Sequence, residues 1–142
     1  MAGTVLRIVP KRTLDFTAVS SGSGQAEEFI LAQGIDISAW REVTMMVRTH
    51  ATSFGGSIGQ IDLYAYLEGR TSEDPGILFA TTTPLGTVTI NSSTTAPAYS
   101  VSALPSNTGG MLKIAAKGTR TSSSGTNTIK ADISIDLSLK SA

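Results

Sequence analysis

The side chains in this sequence that could transform a substrate are few, and their spacing keeps them apart. His50 is the single histidine. As a general base it would need an orienting acid and a nucleophile beside it, and no local motif supplies them. As a metal ligand it would need carboxylates close by, and its place at a strand end before a loop brings none in sequence. Asp132 and Asp136 share one face of an alternating segment, but strand rise separates them by about 13 Å. Glycosidase carboxylate pairs work at roughly 5–9.5 Å, so a solvated or salt-bridged face is the reading here. Asp62 and Glu68 are no closer to a catalytic pair. Glu73-Asp74-Pro75-Gly76 has carboxylates and carbonyls for a cation, yet it lacks the alternating acids of a calcium loop and reads as a plain turn. Gly55-Gly56 and Gly22-Ser23-Gly24 lack the lysine, the following helix and the spacing of phosphate loops. The chain has no cysteine, which removes thiol nucleophiles, thiolate metal sites and disulfides. No residue is assigned a catalytic, cofactor-binding or metal-binding role, and the expected function is not enzymatic.

The aromatic residues point toward binding. Trp40 is the sole tryptophan, and its neighbours Ile35, Ile37 and Val43 make it an anchor packed on the core. Tyr64 and Tyr66 share the face of a strand opposite its apolar residues. There they are either cross-strand packers or part of an interface. Together with Tyr99 and Trp40 they also support an alternative reading as a carbohydrate-binding module, in which rings stack on sugars.

Composition narrows the partners. Basic and acidic residues balance at 11 each, so the basic surplus of a nucleic-acid binder is missing. Only 15% of the residues are charged, against roughly 25% in an average domain. Polarity comes instead from serine and threonine, as in Thr81-Thr82-Thr83 and Ser122-Ser123-Ser124. Such a surface suits a protein that lies against a partner. No stretch approaches the roughly 18 apolar residues of a membrane helix, and the first ten residues do not form a signal peptide. No membrane partner is expected, and the product is expected to be soluble and assembled in the cytoplasm of its host.

The elements that would position these residues are strands. Ile129, Ala131, Ile133, Ile135, Leu137 and Leu139 alternate with polar residues, so one face of that segment is buried and the other wet. Ile61, Leu63, Ala65 and Leu67 repeat the pattern over 60–68. Val43, Met45 and Val47 do so over 41–50, and Leu112, Ile114 and Ala116 over 111–117. Weaker strands are expected over 4–9, 27–32, 77–82, 87–90 and 99–103. Ser/Gly and Pro/Gly clusters at 20–24, 54–57, 73–76, 107–110 and 122–127 mark turns. One turn of helix is the most that 37–40 allows. The expected fold is all-β: a single antiparallel β-sandwich or jelly-roll-like domain of about eight strands. Residues 1–25 form an N-terminal strand or arm with a Ser/Gly loop, and 26–142 form the sandwich. The arm carries Val5 and Ile8. It either pairs within its own domain or adds to an open sheet edge of a neighbour.

The phrase Gly34-Ile35-Asp36-Ile37-Ser38-Ala39-Trp40-Arg41-Glu42-Val43-Thr44-Met45-Met46-Val47-Arg48 resembles a pattern in small tailed-phage virion proteins, where a hydrophobic-Asp-hydrophobic-Ser-x-aromatic-Arg-Glu run leads into a strand. Such proteins are similar in plan to β-sandwich decoration or cement proteins of phage heads, and to modules of tail and fibre parts. The resemblance implies a virion structural protein that binds the major capsid protein and stabilises the shell, with a tail, collar or fibre component as the alternative. It also implies a homo-oligomer, with a trimer expected from the local threefold positions of icosahedral shells. It carries over no functional residue. Val5, Ile8, Trp40, Tyr64 and Tyr66 are the candidate interface residues.

Overall fold

Alternation in the closing segment sets the frame. In the computed structural model, which describes residues 3–17, 25–55, 59–69, 79–106, 108–120 and 128–141, the last strand, β9, spans Ile129–Lys140. All six of its expected inward residues are at most 3% exposed. Burying each of the large aliphatic ones is worth about 1.5–3 kcal/mol, and the strand cannot slip by one residue without forfeiting all of them.

Eight further strands precede it: β1 (Gly3–Asp15), β2 (Gln25–Asp36), β3 (Glu42–Phe54), β4 (Gly59–Gly69), β5 (Phe79–Ala80), β6 (Gly86–Asn91), β7 (Ala98–Ala103) and β8 (Met111–Arg120). Every strand expected from alternation is present, most of them longer than expected. Of the strand expected over 77–82 only Phe79–Ala80 forms a ladder, and 77–78 lies outside the described residues. So do the Ser/Gly run at 20–24, the acidic turn at 73–76 and the loop at 122–127. No helix occurs among the described residues, so none is long and apolar enough to cross a membrane.

The strands form two antiparallel sheets. The first has the order β1-β9-β3-β7; the second has β2-β8-β4, with β5 and β6 on the far side of β4. Because β5 pairs with one end of β4 and β6 with the other, the two act as one broken strand. Each sheet therefore has four strand positions. Successive strands cross from sheet to sheet, except where β4, β5 and β6 stay together. This is a β-sandwich, as alternation and turn spacing predicted, and its strand order is that of a jelly roll. Leu14, Met45, Leu63, Ile114 and Ile133, all fully buried, come from both sheets and fill the space between them.

Three local devices hold the strand ends. Phe16, 1% exposed, follows β1 and stacks on Phe29 of β2 at 5.1 Å between ring centroids. Its ring lies on Gly118 of β8, where any Cβ would stand 2.0 Å from the ring. Two register shifts interrupt β2 against β8. Gly34 adopts φ 67° there, a left-handed conformation open to glycine, and its N–H donates to Oε1 of buried Glu68 at 2.7 Å. The phrase after β2 is an Asx turn: Asp36 Oδ1 accepts from the Ser38 N–H at 2.9 Å and the Ser38 hydroxyl at 2.6 Å. These bonds hold the Asp36 carboxyl below its ordinary pKa. The turn sinks Ile37 fully into the core and lays Trp40, half-buried, against it, the anchoring role expected of that ring.

Candidate docking surface

Strand β7 has its alternation turned inside out. Tyr99 and Val101 are 73% and 69% exposed, and Ala103 is also exposed. Ser100 and Ser102, the polar residues between them, are half-buried and sit opposite the core residues Val47 and Met45 of β3. The outward side chains of β7 are thus the apolar ones. An exposed apolar row on a sheet face marks a contact surface when its neighbours extend it.

They do. Strand register sets Arg7, Asp136, Met46 and Val101 side by side across β1, β9, β3 and β7. On one side lies the row Ser134, Arg48 and Tyr99; on the other lies Val5, Ser138, Thr44 and Ala103. Val5 is 61% exposed. A shallow depression runs between Met46, Tyr99, Val101 and the Arg7–Asp136 ion pair. The Arg48 guanidinium stands 5.3 Å from the Tyr99 ring centroid, which holds the ring in place on the open face. The Asp136 carboxylate takes both Nε and Nη2 of Arg7, and that ion pair holds the Arg7 guanidinium more firmly protonated than usual. The outer face of the first sheet therefore carries an apolar strip of Met46, Tyr99 and Val101 beside one ion pair and one ring-held cation. Its chemistry is that of a docking surface: desolvation of valine, methionine and tyrosine, with charge at the rim to set orientation.

Of the titratable residues singled out earlier, His50, Asp132 and Asp136 lie on this same sheet, whereas Asp62 and Glu68 belong to β4 of the second. His50 Nε2 stands 3.0 Å from Ser134 Oγ, and Ser134 is 2% exposed, so its hydroxyl is not offered to a substrate. Desolvation lowers the His50 pKa, and the positive charges of Arg48, Lys11 and Arg7 lower it further, against the smaller opposing pull of the Asp132 carboxylate. The Asp132 carboxylate accepts from the Thr13 hydroxyl at 2.6 Å. No group of three or more His, Cys, Asp or Glu that could hold a metal occurs among the described residues.

Of the five candidate interface residues, Val5 alone is exposed on this face, at the β1 edge, with Ser138 and Thr44 between it and Ala103 of β7. Ile8 is half-buried against the core beside the first register shift of β1. Trp40 belongs to the β2–β3 turn. Tyr64 and Tyr66 lie on the outer face of the second sheet, their centroids 5.7 Å apart. Tyr66 is only 9% exposed, with Lys113 Nζ 4.8 Å from its ring centroid. Burial raises the pKa of both tyrosines, helped at Tyr64 by the Asp62 carboxylate. Asp62 itself is buried and accepts from Gln60 Nε2 at 2.9 Å and the Thr89 hydroxyl at 2.5 Å. On that face Asp62, Gln60 and Thr89 form a hydrogen-bonded group, and Ile30, 50% exposed, lies in the row of Ala115 and Tyr64. Met46, Arg48 and Val101 were not singled out from the sequence. The signal was present as Tyr99-Ser100-Val101-Ser102-Ala103, but alternation names two faces without saying which is covered.

No family model matches this chain, and no curated protein matches it. Among solved structures, a chain in the structure of infectious bursal disease virus, Gx strain, aligns over 97% of this chain with a TM-score of 0.50 at 12% identity. This chain spans 32% of that one, and at such identity the likeness is one of fold alone. The K1 cleaved adhesin domain of Lys-gingipain from Porphyromonas gingivalis W83 aligns over 100% of this chain and 99% of its own, at TM-score 0.36 and 11% identity. The catalytic domain of a GH87 alpha-1,3-glucanase, in complex with nigerose, aligns over 100% of this chain and 28% of its own, at TM-score 0.29 and 12% identity. Likeness at those two scores carries no inference. The chain is a β-sandwich with jelly-roll strand order.

Proposed function

We propose that this chain is a structural protein of a virion, a shell decoration protein that docks on the major capsid protein through the outer face of its first sheet. The observation that carries the reading is the inverted alternation of β7, which turns Tyr99 and Val101 outward and leaves serines facing the core side. A sheet face of that kind costs solvation free energy until a partner covers it. The resemblance of the 35–48 phrase to tailed-phage virion proteins agrees with it, as does the fold shared with a chain of a virus structure. On this reading the rigid sandwich is a plate, and the aromatic and aliphatic side chains at the centre of the strip supply most of the binding energy.

Co-sedimentation with empty shells tests the reading. The wild-type chain pellets with shells, and Val101→Asp, which places a charge at the centre of the strip, stays in the supernatant while melting like the wild type. A wild-type chain that does not pellet, or a Val101→Asp chain that pellets equally well, removes the proposal.

A further inference from the structure

Among the described residues the first sheet ends in β1, which bonds to β9 on one side only. The two halves of this edge are built differently. From Arg7 onward the strand is guarded: register shifts fall between Arg7 and Val9 and between Val9 and Arg12, and Pro10, Lys11 and Arg12 occupy the shifted stretch. Bulges, proline and lysine are the devices that keep an edge from pairing. The first half, Gly3 to Arg7, has none of them and keeps unbroken register from Lys140 to Asp136 of β9. Both of its faces are open as well. Val5 is 61% exposed on the outer face. Leu6, 47% exposed, lies opposite core residue Leu137 on the inner side. An unguarded backbone edge with apolar side chains above and below it is a template for another strand.

We infer that the added strand is β1 of a second copy of this chain, paired antiparallel across a two-fold axis at Val5. This deepens the reading above by naming the surface through which the structural protein meets its own kind. Charge selects the register. Centring the pair on Val5 sets each Arg7 opposite Gly3 of the other copy, which has no side chain to obstruct it, and holds the two guanidinium groups about 13 Å apart along the strands. Centring it on Arg7 would place like charges directly opposite, which is unfavourable. The pairing covers Gly3 to Arg7 and stops where the guarded half begins. It joins two four-stranded sheets into one continuous sheet and places both apolar strips on a common face. Strand pairing joins edges two at a time, so this contact builds a two-fold dimer, and a threefold ring would need a different surface.

The test uses purified full-length chain alone, so its outcome is separate from shell binding. Sedimentation velocity should give twice the 14.7 kDa monomer mass, and Val5→Lys combined with Leu6→Lys should return the monomer with an unchanged far-ultraviolet spectrum. Because the chain has no native cysteine, Val5→Cys is a clean reporter. Facing strands hold Cα atoms about 4.5–5.5 Å apart, within disulfide range, so mild oxidation should convert Val5→Cys to a covalent dimer while Val101→Cys on the opposite edge strand stays monomeric. A monomer at all concentrations overturns the inference. So does an oligomer that cross-links through Val101→Cys rather than Val5→Cys.

Discussion

Replacing Gly118 by alanine puts a methyl group where Phe16 already is. An alanine Cβ there would stand 2.0, 2.3 and 2.4 Å from three carbons of Phe16, where carbon atoms prefer about 3.5–4.0 Å. The ring must therefore retreat by about 1.5 Å. It has nowhere to go, being 1% exposed and stacked on Phe29, so β1 has to lift from the second sheet. Overpacking costs about 1–3 kcal/mol, and this site belongs at the upper end because the obstruction is a rigid ring. For a chain of this size each kcal/mol is worth roughly 3–4 °C of Tm, so Gly118→Ala should melt about 10 °C below the wild type. Thermal and urea denaturation measure the loss. A double-mutant cycle assigns it: Phe16→Ala alone costs about 3–5 kcal/mol, and in that background the alanine at 118 should cost almost nothing. The coupling should thus approach the full cost of the single Gly118→Ala change. The reasoning is refuted if Gly118→Ala lies within about 0.5 kcal/mol of wild type, or if its cost is the same with Phe16 removed.

Other substitutions probe the remaining devices. Gly34→Ala forces a side chain into φ 67° and should cost about 1–2 kcal/mol in urea unfolding, whereas the exposed Gly69→Ala, with no atom of the described residues within 4 Å of its Cβ site, should change stability by less than about 1 kcal/mol. Ile133→Ala empties a fully buried position and should cost about 2–5 kcal/mol. His50 has its pKa lowered from 6.5 in the folded state, so the unfolded chain binds its proton more readily; the resulting stability is present above pH 6.5 and falls as pH drops through the folded value. His50→Gln should flatten the Tm profile just below pH 6.5, and an unchanged slope would show that His50 does not cause it. Asp15 and Asp36, both held below their ordinary pKa by Thr17 and Ser38 respectively, withdraw their contribution only as pH falls below 3.8, and Asp36→Ala should reduce the loss of Tm in that lower range.

How much could be read from the chain depended on the length of the alternating run. Ile129 to Lys140 is long enough that one face had to be buried, and every predicted inward residue is. The turn at Asp36 and Ser38 was visible as a phrase because its hydrogen bonds span two residues. In β4 the alternation was correct but incomplete. Asp62, Tyr66 and Glu68 face away from the sandwich interior and are nevertheless 9% exposed or less, because Thr89, Lys113 and Gly34 reach them from other strands.

The exposed apolar strip on the first sheet shows the same division most clearly. By itself the sequence determined that strands, serines and threonines would build a sandwich, since period-two patterning and turn chemistry act over a few residues. It could not say which side of β7 would be covered. That was decided when β3 took β7 as its neighbour and brought Met46 and Arg48 beside Val101 and Tyr99, and when β9 brought Asp136 to Arg7, 129 residues away along the chain. A strand carries its two faces in its own residues, whereas their inside and outside come from partners that only the folded sheet order supplies.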